Sequence, residues 1–239
     1  MIRSKDYHQY TNYDYEPGGL RKLDYIVEVI RKSFGNNPKE TRILDAACGK
    51  GDISSPLAYL GYQVTALAAQ EEEAKGLKEK HQFNNLQAKT DSFENYLPQN
   101  RFEIIIMSEF LEHAKDPKAV LKKARKMLRH NGLLILTVPN GLSLEESIRK
   151  VTASAAKNPH LQFWSLFSLR SLMLSAGFEI AEIKSAAFLF KETYSIFVRF
   201  FLKRGSLLFH WFDKMDSRIS RFVPPILASG WFITAKRKE

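Results

Sequence analysis

Residues 102–107, Phe-Glu-Ile-Ile-Ile-Met, restrict the fold of this chain more than any other stretch. Their apolar and β-branched character runs on with little alternation, as in a strand buried on both faces. Such a strand belongs in the middle of a sheet covered on both sides, and in a parallel sheet the cover is the crossover helices. The sequence around it supplies them. Leu20, Leu23, Ile26, Val27 and Ile30 recur at helical spacing over 20–34, closed by Gly35 and Pro38. Residues 42–46 read as a strand, 52–60 as a helix ended by Gly61, 62–67 as an alternating strand, 71–81 as a helix and 86–89 as a short strand. Asp116 caps a helix with Pro117 at its first position, and Asn131-Gly132 turns into a strand over 133–138. Alternation of this kind predicts right-handed crossovers and a mostly parallel sheet with helices on both faces. Ligands of such sheets bind beyond the carboxyl ends of the strands, where Asp45, Ala68, Asp91, Ser108 and Asn140 fall.

The turn after the first strand narrows the kind of ligand. Residues 41–51, Thr-Arg-Ile-Leu-Asp-Ala-Ala-Cys-Gly-Lys-Gly, pass from an apolar run through an acid into a small-residue bend. Gly49 and Gly51 have no Cβ and tolerate positive φ, so backbone N–H groups and a helix start can approach a nucleotide-like ligand closely. Asp45 offers an acceptor at the strand end. A dinucleotide site would show G-x-G-x-x-G and an acid at the end of the second strand, and both are missing.

Composition sets the outer limits. At 239 residues, 44% hydrophobic and 26% charged, the chain is long and apolar enough for one full core. The first residues lack a secretory apolar segment and no uninterrupted apolar run of about 18 residues occurs, so a soluble cytoplasmic protein is expected. Cys48 is the only cysteine, which excludes an internal disulfide and points to packing within the turn. The net charge is +10. From Lys184 onward eleven Lys or Arg face four Asp or Glu, a net +7, so the positive field is local to the last quarter and attracts anions there.

Five ordered segments carry a resemblance: 43–51, 89–93 (Lys-Thr-Asp-Ser-Phe), 102–113 (ending Ser-Glu-Phe-Leu-Glu-His), 128–140 (ending Thr-Val-Pro-Asn) and 171–179. In motif and order the chain resembles the class I S-adenosylmethionine-dependent methyltransferases, and it is similar to their small-molecule O-methyltransferases of the ubiquinone-biosynthesis type. The resemblance implies an α/β, Rossmann-like fold: a mostly parallel seven-stranded sheet with helices on both faces and a helical C-terminal insertion. It divides one domain over 1–239 into an N-terminal helical cap (1–40), a cofactor-binding core (41–140), a substrate-loop region and strand (141–183), a helical insertion or lid (184–225), and a last strand with a basic tail (226–239).

By the same resemblance the cofactor is S-adenosylmethionine, leaving as S-adenosylhomocysteine. Asp45, Ala47, Cys48, Gly49 and Gly51 would surround its methionine part. Leu67 and Ala68 end the second strand beside the ribose, Asp91, Ser92 and Phe93 would hold the adenine, and Ser108 would close the pocket. Two positions depart from the family pattern: Ala47 replaces the usual Gly, and Ala68 replaces the usual acid that binds the ribose hydroxyls, leaving Gln70 or Glu71 as substitutes.

The expected reaction is methyl transfer to an oxygen, with nitrogen and carbon ranked behind, of a small-molecule or lipid-linked acceptor. His113 is the catalytic candidate as general base, with a helix-capping histidine as the alternative. Residues 158–164, Asn-Pro-His-Leu-Gln-Phe-Trp, match the family's substrate loop in position and add His160 and Trp164. Glu109, Glu112 and His113 lie too close on one turn to converge on an ion, so no metal is expected and the carboxylates read as solvated. Over 190–222 apolar faces interleave with Arg199, Lys203, Arg204, Arg218 and Arg221, read as packed core or subunit contact, with a lid touching lipid as the alternative. Peripheral membrane contact and a homodimer are therefore both carried. A non-catalytic protein of this fold, binding a partner or anionic membrane through that region, is the second reading. Nucleic acid is disfavoured, because 108–113 lacks the Asn/Asp-Pro-Pro-aromatic motif of base-amino methyltransferases.

Overall fold

The computed structural model describes residues 5–13, 18–35, 37–80, 82–143, 160–186, 207–220 and 222–238. Seven strands form one sheet: β1 (Arg42–Asp45), β2 (Gln63–Ala68), β3 (Leu86–Thr90), β4 (Phe102–Ser108), β5 (Leu128–Pro139), β6 (Phe178–Ser185) and β7 (Gly230–Arg237). Their order is β3-β2-β1-β4-β5-β7-β6. The first five strands run parallel, and β7 is antiparallel between β5 and β6. The expected Rossmann-like architecture is therefore present.

β4 lies centrally, as its composition demands. Its two-residue period sends Ile105 and Met107 into one core with Leu134, Leu136 and Trp231, and Ile104 and Ile106 into the opposite core with Leu133 and Ile135. Helices α4 (Pro117–Met127) and α5 (Leu166–Ser175) cover the first face through Val120, Leu121, Ala124, Leu169 and Met173. Helices α1 (Gly19–Phe34) and α2 (Ser54–Tyr59) cover the second through Leu23, Ile26, Val27, Ile30 and Leu57. Small side chains, Cys48, Ala66, Ala68, Ala74 and Ala88, let α3 (Glu71–Lys80) press close to β2 and β3.

Two elements differ from the sequence expectation. The fifth strand starts at Leu128, not after the Asn131-Gly132 turn: Phe102 pairs with Leu128 and Ile104 with Leu133, so the extra residues form a bulge with Asn131 at φ 64°. The helix expected from Asp52 starts at Ser54, with Ile53 at its N-cap and no side-chain cap. The Asp52 carboxylate instead accepts hydrogen bonds from the N–H and Nδ2 of Asn12 at 2.7 and 2.8 Å.

Of the helical regions expected over 142–157 and 190–222, residues 144–157, 190–206 and 221 lie outside the described residues. The described part is α6 (Leu207–Ile219), which is pinned to α1: Arg21 donates to the buried Asp216 carboxylate at 3.2 Å and to Ser220 Oγ at 2.8 Å. Among the described residues no helix is long and apolar enough to cross a membrane.

The bulge is directly testable. A left-handed φ costs a β-branched residue about 1–2 kcal/mol, so Asn131→Val should lower unfolding free energy in urea by that amount. Asn131→Gly should leave it within about 0.5 kcal/mol.

Candidate cofactor site and acceptor cleft

The parallel strands in the order β3-β2-β1-β4-β5 bring their carboxyl tips into one row. Asp45, Ala68, Asp91, Ser108 and Asn140 stand along it, as their places in the sequence suggest. The turn after β1 is held by backbone bonds to both neighbouring strands: Ala46 N–H donates to Ile106 O and Cys48 N–H to Leu67 O, each at 2.9 Å. Gly51 has φ 82°, and a Cβ there would overlap the Leu77 side chain. Gly49 has φ 48° with nothing within 4 Å of its Cβ direction, leaving an open cradle above the backbone. Ala47 stays out of the left-handed region and is exposed, so its Cβ is tolerated where the family has Gly.

Asp45 is fully buried. Its Oδ2 accepts from Ser54 Oγ at 2.6 Å, while Oδ1 is buried without a hydrogen-bond partner. Burial pushes its pKa up to about 6, against the pull of the Ser54 and Ala47 donors and the Lys22 ammonium. A buried acceptor beside an open glycine cradle fits an incoming ammonium group. Lys22, Tyr13 and Ser54 escaped sequence reasoning. Lys22 is 8% exposed on α1, with its Nζ 4.6 Å from the centroid of the Tyr13 ring. A lysine at a buried helical position was the available signal. Cys48 is a packing residue, its thiol pushed up by burial and by the Asp45 and Glu73 charges.

Leu67 is buried in the large core with Leu44 and Phe93, Ala68 is buried among small side chains, and Asp91 N–H donates to Ala68 O at 3.1 Å. Gln70 and Glu71 are exposed beside them, with Glu71 paired to Lys75 at 2.8 Å. Ser92 starts a turn through Asn95 N–H, 3.2 Å from its Oγ, and Phe93 is buried edge-on to Phe110 at 5.8 Å. Ser108 Oγ lies 3.0 Å from Thr137 Oγ1. Asn140 is occupied structurally: its Nδ2 donates to Ala228 O at 2.8 Å and to Ile226 O at 3.2 Å.

Beyond β4 a 3-10 turn, Leu111–His113, replaces regular helix. Here the expectation of solvated carboxylates fails. Glu112 is fully buried because the loop before α5 folds over it, with the N–H groups of Leu161 and Gln162 donating to Glu112 O at 2.9 and 3.0 Å. Glu109 is tied back by Thr137 Oγ1 at 3.0 Å. Among the described residues Glu112, His113 and His160 bring ligand atoms within 4.8 Å of one another. That group can shuttle a proton or hold a divalent cation. Gly141 N–H donates to Trp164 O at 2.8 Å, and a Cβ on Gly141 would meet Phe163 Cβ at 2.8 Å, so glycine seats this loop over the strand tips. The Trp164 Nε1 is buried without a hydrogen-bond partner.

A mostly parallel α/β sheet with an acid and a glycine cradle at the carboxyl end of its first strand is the class of fold that binds nucleotide-like cofactors at that edge. The model of the methyltransferase domain family matches residues 20–183, and the chain belongs to that family. It is an S-adenosylmethionine-dependent methyltransferase. It is 24% identical over 195 residues to the ubiquinone biosynthesis O-methyltransferase of Rickettsia akari (strain Hartford), covering 76% of this chain and 78% of that protein. To the protein of the same name from Rickettsia prowazekii (strain Madrid E) it is 26% identical, covering 70% and 69%. Among solved structures it is similar to a putative sarcosine dimethylglycine methyltransferase from Galdieria sulphuraria (TM-score 0.67, 16% identity, 92% and 86% covered). It is also similar to the magnesium protoporphyrin IX methyltransferase from Synechocystis PCC 6803 with bound S-adenosylhomocysteine (TM-score 0.64, 16% identity, 94% and 86% covered).

The two glycines separate fold from ligand binding. Gly51→Ala should cost roughly 2 kcal/mol or more in urea unfolding through overpacking and positive φ. Gly49→Ala should cost about 1 kcal/mol yet weaken S-adenosylhomocysteine binding in calorimetry, because its methyl group projects into the cradle.

Proposed function

We propose that this enzyme transfers the methyl group to an oxygen of a small-molecule acceptor, and that 1–239 works as one methyltransferase domain. The observation that supports an oxygen acceptor is the Glu112–His113–His160 group just beyond the tip of β4, since a hydroxyl must lose its proton to attack. When bound, S-adenosylmethionine supplies a methyl group already activated by a sulfonium charge. Asp45 would receive the ammonium of its methionine part and Lys22 the carboxylate. Gly49, Gly51, Ala47 and Cys48 would frame it, and Leu67, Ala68, Asp91, Ser92, Phe93 and Ser108 would line the nucleoside side. Ala68 offers no side-chain acceptor, so the exposed Gln70 and Glu71 beside it are assigned to the ribose hydroxyls. His113 removes the acceptor proton, and the Trp164 N–H orients the acceptor from the loop above. Methyl transfer to a panel of phenolic and aliphatic hydroxyl acceptors, with His113→Ala as control, tests the reading. No transfer to any hydroxyl together with transfer to amines would overturn it. A rate abolished by chelation and restored by magnesium or zinc would move the role of His113 from base to ligand.

A second observation supports a lipid-linked acceptor and peripheral membrane contact. Phe222, Ile226, Leu227 and Trp211 are 88, 66, 59 and 55% exposed beside Lys214 and Arg218. Co-flotation with anionic vesicles at low salt is expected, and its absence sinks this second reading alone.

Asp45 makes cofactor affinity depend on pH. Its carboxyl holds a proton more tightly folded than unfolded, so its contribution to stability is complete below about pH 4 and is lost as pH rises through about 6. The ionised form is the one that binds an ammonium. S-adenosylhomocysteine affinity should therefore fall up to about tenfold per pH unit below 6. Asp45→Asn should weaken binding more than about tenfold at pH 7.5, while the ligand-free variant unfolds no earlier than the parent and gains up to about 3 kcal/mol.

A further inference from the structure

Residues 5–13 are fastened to the cofactor region at two carboxylates. Asp24 of α1 accepts from Lys5 Nζ at 2.6 Å and Tyr7 OH at 2.7 Å, and lies 2.6 Å from His8 Nε2. Tyr10 stacks on Tyr59 of α2 with ring centroids 4.3 Å apart. Asp52, the residue after Gly51, takes three donors from this segment on one oxygen: Asn12 N–H at 2.7 Å, Asn12 Nδ2 at 2.8 Å and Thr11 Oγ1 at 3.4 Å. Asp52 is the residue before the N-cap Ile53 of α2, and its side chain does not cap that helix. Its carboxylate is given over to the N-terminal segment.

What that attachment fixes is Tyr13. Its N–H donates to Thr11 Oγ1 at 3.1 Å, and its ring covers the Lys22 ammonium. The fit against α1 is tight enough that a Cβ on Gly19 would stand 2.8 Å from Tyr13 Cβ and 2.9 Å from Tyr13 O. Lys22 in turn bears electrostatically on Asp45. Contacts thus run from Asp52 to Asn12 and, through the adjoining Tyr13, to Lys22, whose charge acts on Asp45.

We propose that Asp52 is a positioning residue that straps residues 11–13 onto the cofactor turn, so that Tyr13 and Lys22 close over the bound S-adenosyl ligand and slow its release. The inference rests on the cofactor site assigned above. Asn12 donates through two N–H groups, which an amide oxygen at position 52 accepts as a carboxylate does. Asp52→Asn therefore keeps the strap while removing the same charge as Asp52→Ala, which separates strapping from the electrostatic effect of Asp52 on Asp45.

Stopped-flow release of S-adenosylhomocysteine from the full chain tests this, with hydrogen exchange read at residues 11–13. Asp52→Ala should release the ligand about tenfold faster, a change equivalent to roughly 1.4 kcal/mol, and should lose ligand-dependent protection of 11–13. Asp52→Asn should stay within about threefold of the parent rate, or under about 0.7 kcal/mol. Gly19→Ala should also speed release by displacing Tyr13 while leaving Asp52 intact. A folded Asp52→Ala protein that releases at the parent rate, or equal acceleration by Asn and Ala, overturns the strap. A parent protein that binds no S-adenosylhomocysteine overturns the cofactor site and the strap with it.

Discussion

The parallel pairing of β1 with β4, Ile43 opposite Ile104 through Asp45 opposite Ile106, is the constraint on which the rest depends. It places the β1 turn and the β4 tip side by side, with crossovers leaving to opposite edges of the sheet. A crevice opens at that reversal of strand order. The pairing needs both faces covered, which is why β4 is apolar throughout and why α1 and α2 on one side and α4 and α5 on the other carry the large aliphatic residues.

The crevice holds a group whose burial is costly. A buried carboxylate at the tip of β1 is disfavoured in its ionised form, and the neighbouring donors recover only part of what burial removes. In the proposed reading, Lys22 and the open cradle at Gly49 make the same place favourable for a zwitterionic ligand. In that reading stability and cofactor affinity pull Asp45 in opposite directions.

Much of the fold was legible because helix and strand periodicities are local. The apolar stripe of α1, the Asp116 cap with Pro117 and the run at 102–107 each identify an element from its own residues. The bulge at Asn131 was misread as a turn, since asparagine–glycine favours both and only pairing with Phe102 distinguishes them. The helix read from Asp52 starts two residues later for the same kind of reason: an acid suits a helix's first turn, and its actual partner, Asn12, lies far away in the chain.

The sequence by itself determined the sheet class, the positions of the glycine turn and strand ends, and through their order the resemblance to methyltransferases. Only the tertiary structure decided which side chains meet: Lys22 on the Tyr13 ring, His160 beside Glu112 and His113, Asn12 on Asp52. The physical reason is range. Backbone periodicity and turn chemistry act over a few residues, whereas a site is assembled from groups whose proximity depends on packing between elements distant in the chain, and a sequence read alone carries no record of that packing.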